Sequence, residues 1–179
     1  KNIANNMPNQ MLKAFVLTLF SSGARIGEIL PAKIKQFAFD DKGTIFNIVE
    51  GKTGARRVRI DAPHYNYYIS ELLVWLQSHP NKNNPEAYVW LGHKGKFIVY
   101  KTVRDNLFMA AKKAGIMKPI NPHAFRHASA TFDSSLPAEV KKAKYGWKTM
   151  EMINVYTSLS GKQIDEEILR FRGVDVNDK

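Results

Sequence analysis

"NPHAFRHASAT", residues 121–131, carries two imidazoles and a guanidinium on what the sequence predicts to be one face of a helix. The Asn-Pro pair at its start supplies an N-cap and a residue suited to the first helical position. His123, Arg126 and His127 then stand at i, i+3 and i+4, one above another. Such a basic stripe is mildly unfavourable unless an anion faces it. That anion could be a carboxylate, the counter-ligand of a metal or a phosphate.

The chain is basic, with 27 Lys and Arg against 16 Asp and Glu in 179 residues, a formal net charge of +11. This length suits one domain, and the charge indicates a polyanionic partner, nucleic acid first and an anionic membrane second. The plain alternative is a merely basic soluble protein. Cysteine is absent, which excludes disulfides, thiolate zinc sites and cysteine nucleophiles and fits a reducing cytoplasm. No apolar run approaches the roughly 18 residues of a membrane span.

Around this stretch the pattern is mostly helical. Apolar residues recur with helical period in four further segments, 8–23, 65–79, 101–115 and 161–173, and a short helix is expected at 25–30. Three apolar segments joined by "DKG" and "KTG" turns, 36–40, 44–51 and 55–60, predict strands. The fold class expected is therefore α+β, mainly α-helical, with a small antiparallel three-stranded sheet.

Two motifs are false leads. "GKT" at 51–53 resembles the end of a phosphate-binding loop, but Phe46 stands where that motif needs glycine and a strand follows instead of a helix. His123 and His127 have the spacing of a zinc helix, but Ala124 replaces the catalytic Glu, and Arg126 between the two histidines would repel a cation.

Phosphate is the anion that these residues suit best. Arg126 offers a planar fork of donors that never loses its charge, and His123 can move a proton near neutral pH. Arg25 lies at a junction after a helix-ending glycine, with an i+3 ion pair to Glu28 as the plain alternative. Lys52 is placed on a predicted hairpin, where it could reach into a groove or simply be a solvated turn lysine.

Near the end of the chain, Trp147 and Tyr156 could each be core residues. Taken together and in order, however, "GARIGE", "GKTG", "HAFRH", "GW" and "VYTSLSG" resemble the catalytic domain of the tyrosine recombinase (integrase) family, over about residues 8–172. The ending "VYTSLSGKQIDEEIL" is most similar to archaeal integrases. Trp147 stands where many members have His, and Ser158 stands where a His often follows the tyrosine.

The resemblance implies the fold of that catalytic domain and a set of catalytic residues, Arg25, Lys52, His123, Arg126, Trp147 and Tyr156. By this resemblance, Tyr156 attacks a DNA phosphate, forms a 3′-phosphotyrosyl bond and frees a 5′-hydroxyl. The two arginines would clamp the non-bridging oxygens and Trp147 would add a hydrogen bond. Lys52 would be the general acid for the 5′-oxygen and His123 would handle the proton of the nucleophile, with His127 in a structural role. No metal or other cofactor is implied.

The function implied is a site-specific DNA recombinase or integrase acting on double-stranded DNA, self-associated as a dimer or tetramer, DNA-associated in the cytoplasm and without a membrane partner. Residues 1–179 would form the catalytic domain, a C-terminal fragment without its N-terminal core-binding domain. A helix over 160–172 would pack on a neighbour or on its own core. "KTGARRVR" and "HKGK" are expected near the DNA backbone, or else as solvated turns. The alternatives are a type IB-like topoisomerase, an inactive DNA-binding module and a zinc-dependent hydrolase.

Overall fold

The structure is a computed structural model, and it describes residues 1–49, 51, 54–118 and 120–149. Lys52, Tyr156 and the helix expected over 160–172 lie outside these described residues. Within them there are seven α-helices: α1 (Asn2–Asn5), α2 (Gln10–Ser22), α3 (Ile26–Ile29), α4 (Ala62–Ser78), α5 (Tyr100–Lys113), α6 (Pro122–Phe132) and α7 (Ala138–Tyr145). Three strands join them: β1 (Phe37–Asp40), β2 (Gly43–Ile48) and β3 (Arg56–Asp61). The α+β class expected from the sequence is confirmed.

Helix α2 is the centre of the core, and its ends are set by local chemistry. The side chain of Asn9 caps it by accepting a hydrogen bond from the backbone N–H of Leu12 at 2.9 Å. Gly23 ends it in the left-handed conformation, at φ 58°. Phe15 and Leu19 are fully buried, and the edge of the Phe15 ring meets Trp90 at a centroid distance of 5.1 Å.

The sheet has the order β1-β2-β3, with both pairs antiparallel. Phe46 in the central strand lies opposite Phe37 on one side and Val58 on the other. The rings of Phe37 and Phe46 are stacked with centroids 4.5 Å apart, and all three residues are buried. The strand pattern predicted from the sequence is therefore confirmed, including the antiparallel pairing.

Helix α4 covers α2 and the sheet. Asp61 caps it by accepting from the backbone N–H of His64 at 3.2 Å. Ile69 and Leu72 face the core as the helical period predicts, and Tyr65 is buried beside them. Three further apolar residues that recur with the helical period are half-buried: Tyr68, Leu73 and Leu76.

The last two described helices carry the functional segments. Helix α6 packs against α2, and α7 packs against β3. Asn121 caps α6 by accepting from the backbone N–H of Ala124 at 3.0 Å, as its sequence predicts. Gly146 ends α7 in the left-handed conformation. In the described part of the chain, no helix has both the length and the apolar character needed to cross a membrane.

Candidate active site

Arg25 lies at the junction of α2 and α3, as the sequence predicts. It is the N-cap of α3, and its backbone N–H donates to Oε2 of Glu28 at 2.7 Å. Its guanidinium also donates to Oε1 of Glu28 at 3.0 Å, so the ion pair offered as the plain alternative does form. The same guanidinium reaches across the fold, where Nη2 donates to the carbonyl oxygen of Gly146 at 3.1 Å. Arg25 is therefore both a helix-capping residue and a link to the end of α7.

Arg126 is buried within the fold, at 3% exposure. Its Nη1 donates to the carbonyl oxygen of Gly23 at 2.6 Å, and its Nη2 donates to the carbonyl oxygen of Tyr145 at 2.5 Å. These acceptors are neutral, so they orient the guanidinium without cancelling its charge. Buried charges cost free energy unless they are well solvated by such dipoles, and the cost indicates a functional reason for the cation.

The two guanidiniums converge on one turn of the chain. Arg25 holds the carbonyl of Gly146 and Arg126 holds that of Tyr145, which are consecutive residues at the end of α7. Arg126 also holds the carbonyl of Gly23, two residues before Arg25. The fold therefore brings together two arginines that are far apart in the sequence.

Trp147, the residue after this turn, is buried at 5% exposure. Its ring is stacked on that of Tyr145, with centroids 4.9 Å apart and planes 18° apart. The backbone N–H of Trp147 donates to the carbonyl of Lys142 at 3.0 Å, which closes the end of α7. Trp147 is thus a core residue by burial and also a neighbour of the arginine pair by position.

His123 is exposed on α6, one turn before Arg126. Its ring meets that of His127 edge-on, with centroids 4.5 Å apart. Partial desolvation, and then the positive charges of His127, Arg126 and Arg25, lower the pKa of His123. A lowered pKa keeps the imidazole neutral near pH 7, so it is available to accept a proton.

Glu28 connects Arg25 to Arg56, a residue of the segment "KTGARRVR". Arg56 binds both carboxylate oxygens of Glu28, at 2.8 and 2.6 Å, and its Nε donates to the carbonyl of Lys144 at 2.9 Å. "KTGARRVR" was expected to lie near the DNA backbone, but the Arg56 side chain is only 8% exposed. Burial raises the pKa of Glu28, but the hydrogen bonds from Arg56 and Arg25 outweigh it and leave that pKa below its ordinary value.

The inward direction of Arg56 could have been predicted. Arg56, Val58 and Ile60 alternate along β3 and therefore share one face, and Val58 and Ile60 are buried. Arg57 and Arg59 lie on the opposite face, where Arg59 pairs with the exposed Asp40 at 2.6 Å. The strand therefore divides its arginines between a buried ion-pair network and the surface.

Lys52 and Tyr156 lie outside the described residues. Gly51, which precedes Lys52, lies against Glu28, because a Cβ built on Gly51 would stand 2.8 Å from Oε1 of that residue. The start of the β2–β3 connection is therefore close to the carboxylate that holds Arg25.

The sequence analysis missed a polar cluster behind the arginines. The hydroxyl of Tyr145 donates to Oδ2 of Asp133 at 2.6 Å and lies 2.8 Å from Oγ of Ser129. Nζ of Lys144 binds the same Asp133 oxygen at 2.6 Å. The helical spacing of Arg126, Ser129 and Asp133 was a signal that these residues share a face of α6.

A cavity of about 690 Å³ lies beside this cluster, away from the arginine pair. It is open between β3, the start of α4 and the α6–α7 connection, and its walls include Arg57, His64, Phe132 and Lys144. Among the described candidates, Arg25, His123, Arg126 and Trp147 do not line it.

Comparison with known proteins identifies the family. The model of the phage integrase family matches residues 1–163, and the chain belongs to that family. Tyrosine recombinase XerC of Leptospira interrogans is 29% identical over 160 residues, which are 86% of this chain and 48% of XerC. Tyrosine recombinase XerA of Pyrococcus furiosus is 27% identical over 161 residues, 88% of this chain and 54% of XerA.

Solved structures have the same fold. The crystal structure of XerA recombinase matches with a TM-score of 0.77 at 21% identity, covering 96% of this chain and 60% of that one. XerH recombinase in a pre-cleavage complex with its difH substrate matches with a TM-score of 0.70 at 18% identity, covering 93% and 51%. The chain spans about half the length of the curated relatives it matches.

Proposed function

We propose that the chain is the catalytic domain of a site-specific DNA recombinase or integrase that cuts and rejoins DNA through a 3′-phosphotyrosyl intermediate. The observation that carries the proposal is the convergence of Arg25 and Arg126 on consecutive carbonyls, those of Gly146 and Tyr145. Two fixed cations around one turn suit a phosphodiester, whose transition state gathers negative charge on the non-bridging oxygens. Membership of the phage integrase family supports the same reaction.

In the proposed reaction, the phenolic oxygen of Tyr156 attacks the scissile phosphorus and the bond to the 5′-oxygen breaks. His123 accepts the proton of the tyrosine, and Lys52 gives a proton to the leaving 5′-oxygen. A neutral His123 is the form that this role needs, and the lowered pKa supports it. One ester replaces another, so a 5′-hydroxyl can reverse the step without an external energy source.

The two guanidinium charges are already held in place before the reaction begins. Arg126 is held by two backbone carbonyls and Arg25 by Glu28 and Gly146, so little reorganisation is needed as charge develops. Removing one such donor costs about 3–4 kcal/mol of transition-state stabilisation, or roughly a hundred- to a thousandfold in rate. Trp147, stacked beside this turn, would supply a further N–H donor to the phosphate.

The partner proposed is double-stranded DNA, and binding should depend steeply on salt. A domain that contacts about 6–10 phosphates releases as many counterions. Synapsis of two sites requires self-association as a dimer or tetramer, with the segment 160–172 as the proposed contact between protomers. With DNA as its substrate, the domain is proposed to act in the cytoplasm. The similarity of the ending "VYTSLSGKQIDEEIL" to archaeal integrases stays a prediction. XerA of Pyrococcus furiosus is among the relatives that the chain matches.

Covalent capture tests the proposal. A library of duplexes with random central sequence and a nick in one strand lets the short 5′-hydroxyl fragment diffuse away after cleavage, so that any protein–DNA adduct accumulates. We expect the wild type to capture a defined subset of duplexes and Tyr156→Phe to capture none. Tyr100→Phe is the matched control, because Tyr100 is 44% exposed at the start of α5, and it should capture DNA like the wild type.

The outcomes separate the candidate functions. No adduct with the wild type would reject a DNA strand transferase and leave a DNA-binding module. Adducts accompanied by relaxation of a supercoiled plasmid that lacks the captured sequence would favour a topoisomerase of the tyrosine type.

A further inference from the structure

We propose that Tyr145 is a positioning residue for both arginines and Trp147 of the candidate active site, and that Asp133 sets its orientation. The proposal rests on the proposed function and adds to it two residues that do not touch the DNA. Neither residue belongs to the motifs from which the family resemblance was drawn.

Tyr145 contacts Arg126 and Trp147 directly, and the residue after it contacts Arg25. Its carbonyl accepts from Arg126, whose Cζ lies 5.3 Å from the centre of the Tyr145 ring. The same ring is stacked with that of Trp147, as described above. The next carbonyl, that of Gly146, accepts from Arg25. A rotation of Tyr145 would therefore displace Arg126 and Trp147 together.

The Tyr145 ring also packs closely against the α2–α3 junction, which carries Arg25. A Cβ built on Gly23 would overlap Cε1 of Tyr145, so the ring lies directly on the Gly23 backbone. The carbonyl of Gly23 is the second acceptor for Arg126. Tyr145 therefore fills the space between α2, α6 and the end of α7, the three elements that hold the arginines.

The hydroxyl end of Tyr145 is fixed by α6 and its C-cap. It donates to Asp133 and lies within hydrogen-bond distance of Ser129, and Lys144 holds the same carboxylate oxygen. Burial, followed by the negative charge of Asp133, raises the pKa of Tyr145, so the hydroxyl remains a donor at all working pH values. A buried bond to a carboxylate is stronger than one between neutral groups and fixes direction as well as position.

Helix α6 contacts Tyr145 at three points. Arg126, Ser129 and Asp133 follow each other along the same face of α6 and its C-cap, so the helix holds the backbone, ring and hydroxyl of Tyr145. An aliphatic residue could fill the volume of the ring, but it could not be tied at its far end. The hydroxyl–carboxylate bond is therefore the feature that sets the angle of the ring beside Arg126 and Trp147.

The test compares Tyr145→Phe with Tyr65→Phe. The Tyr65 hydroxyl faces the other oxygen of Asp133 at 3.4 Å and is similarly buried, but its ring packs against those of Phe20 and Phe132. The probe is the duplex captured from the random nicked library by the wild type. We expect Tyr145→Phe to lower the single-turnover rate of adduct formation by up to about a hundredfold, with unchanged duplex affinity, while Tyr65→Phe keeps the wild-type rate.

A second readout separates positioning from general loss of structure. A methylphosphonate at the scissile position lacks the negative charge that the arginines hold. The rate on this neutral linkage should be nearly the same for Tyr145→Phe and the wild type, because a misplaced Arg126 no longer matters. A general structural defect would lower both rates equally, and that result would overturn the proposal.

Asp133→Asn, which conserves volume, tests whether Asp133 affects the rate only through its hydrogen bond to Tyr145. If Asp133 acts through Tyr145, the double variant should lose no more rate than the worse single variant. Additive losses, or a Tyr145→Phe rate equal to that of Tyr65→Phe, would overturn the inference while leaving the proposed function intact. Absence of any adduct with the wild type would overturn both.

Discussion

Replacing Gly23 with alanine should destabilise the protein by about 2–5 kcal/mol. Gly23 has φ 58°, a left-handed conformation that costs a residue with a side chain roughly 1–2 kcal/mol. The new Cβ would also overlap the ring of Tyr145 and stand 3.0 Å from Oγ of Ser129. Overfilling a well-packed site costs a further 1–3 kcal/mol or so, because backbone and ring must both move.

Gly115→Ala is the matched control. Gly115 follows α5 with φ 72°, but nothing lies within 4 Å of a Cβ built there, so the substitution costs only the backbone strain, about 1–2 kcal/mol. Both free energies of unfolding are measured by urea denaturation monitored by circular dichroism. The difference between the variants isolates the contacts of the new Cβ with Tyr145 and Ser129, and we expect about 1–3 kcal/mol.

A double variant makes the assignment specific. In a Tyr145→Leu background the ring is gone, so the extra cost of Gly23→Ala over Gly115→Ala should fall to the small part that the close approach to Oγ of Ser129 contributes. Equal destabilisation by the two glycine substitutions in the wild type would refute the reasoning, since it would mean that the ring does not lie on the Gly23 backbone.

The remaining predictions concern charge. Glu28→Gln should lower the free energy of unfolding by roughly 3 kcal/mol, because it leaves Arg56 without its buried carboxylate. The pKa of Glu28 is lowered in the folded protein, so this loss should be constant above the unfolded pKa and vanish as pH falls through the folded pKa. Urea titrations between pH 3 and 8 would show it. Arg56→Gln should destabilise the fold, whereas Arg57→Gln on the exposed face should leave stability unchanged. Arg57→Gln should instead reduce the slope of log binding constant against log salt concentration by about 1, as fluorescence anisotropy with DNA would show. The single-turnover rate should fall on the acid side with an apparent pKa below the ordinary value for histidine, and His123→Gln should remove that limb.

Most of the fold could be predicted because its signals are local. Asn9, Gly23 and Asn121 mark helix ends by their own capping chemistry, and the turn residues between the strands fix an antiparallel sheet. The candidate arginines could be proposed from the motif order. Their actual meeting point at Tyr145 and Gly146 could not, because that contact joins segments far apart in the chain.

The buried polar partners were harder to predict for the same reason. The density of positive charge in "KTGARRVR" favours a surface segment, although alternation of Arg56 with Val58 indicates the inner face for that residue. Asp133 and Tyr145 each look ordinary in sequence, and only tertiary packing brings the hydroxyl to the carboxylate. Polar side chains buried in pairs are a property of the whole fold rather than of any window of sequence.

The most direct test of the account is to identify the residue that carries the DNA. The trapped adduct is digested with nuclease and trypsin, and the modified peptide is sequenced by mass spectrometry. The account predicts a nucleotide joined through its 3′-phosphate to Tyr156, within the tryptic peptide 149–162, which contains no other tyrosine. A nucleotide on another side chain, or one joined through a 5′-phosphate, would contradict it.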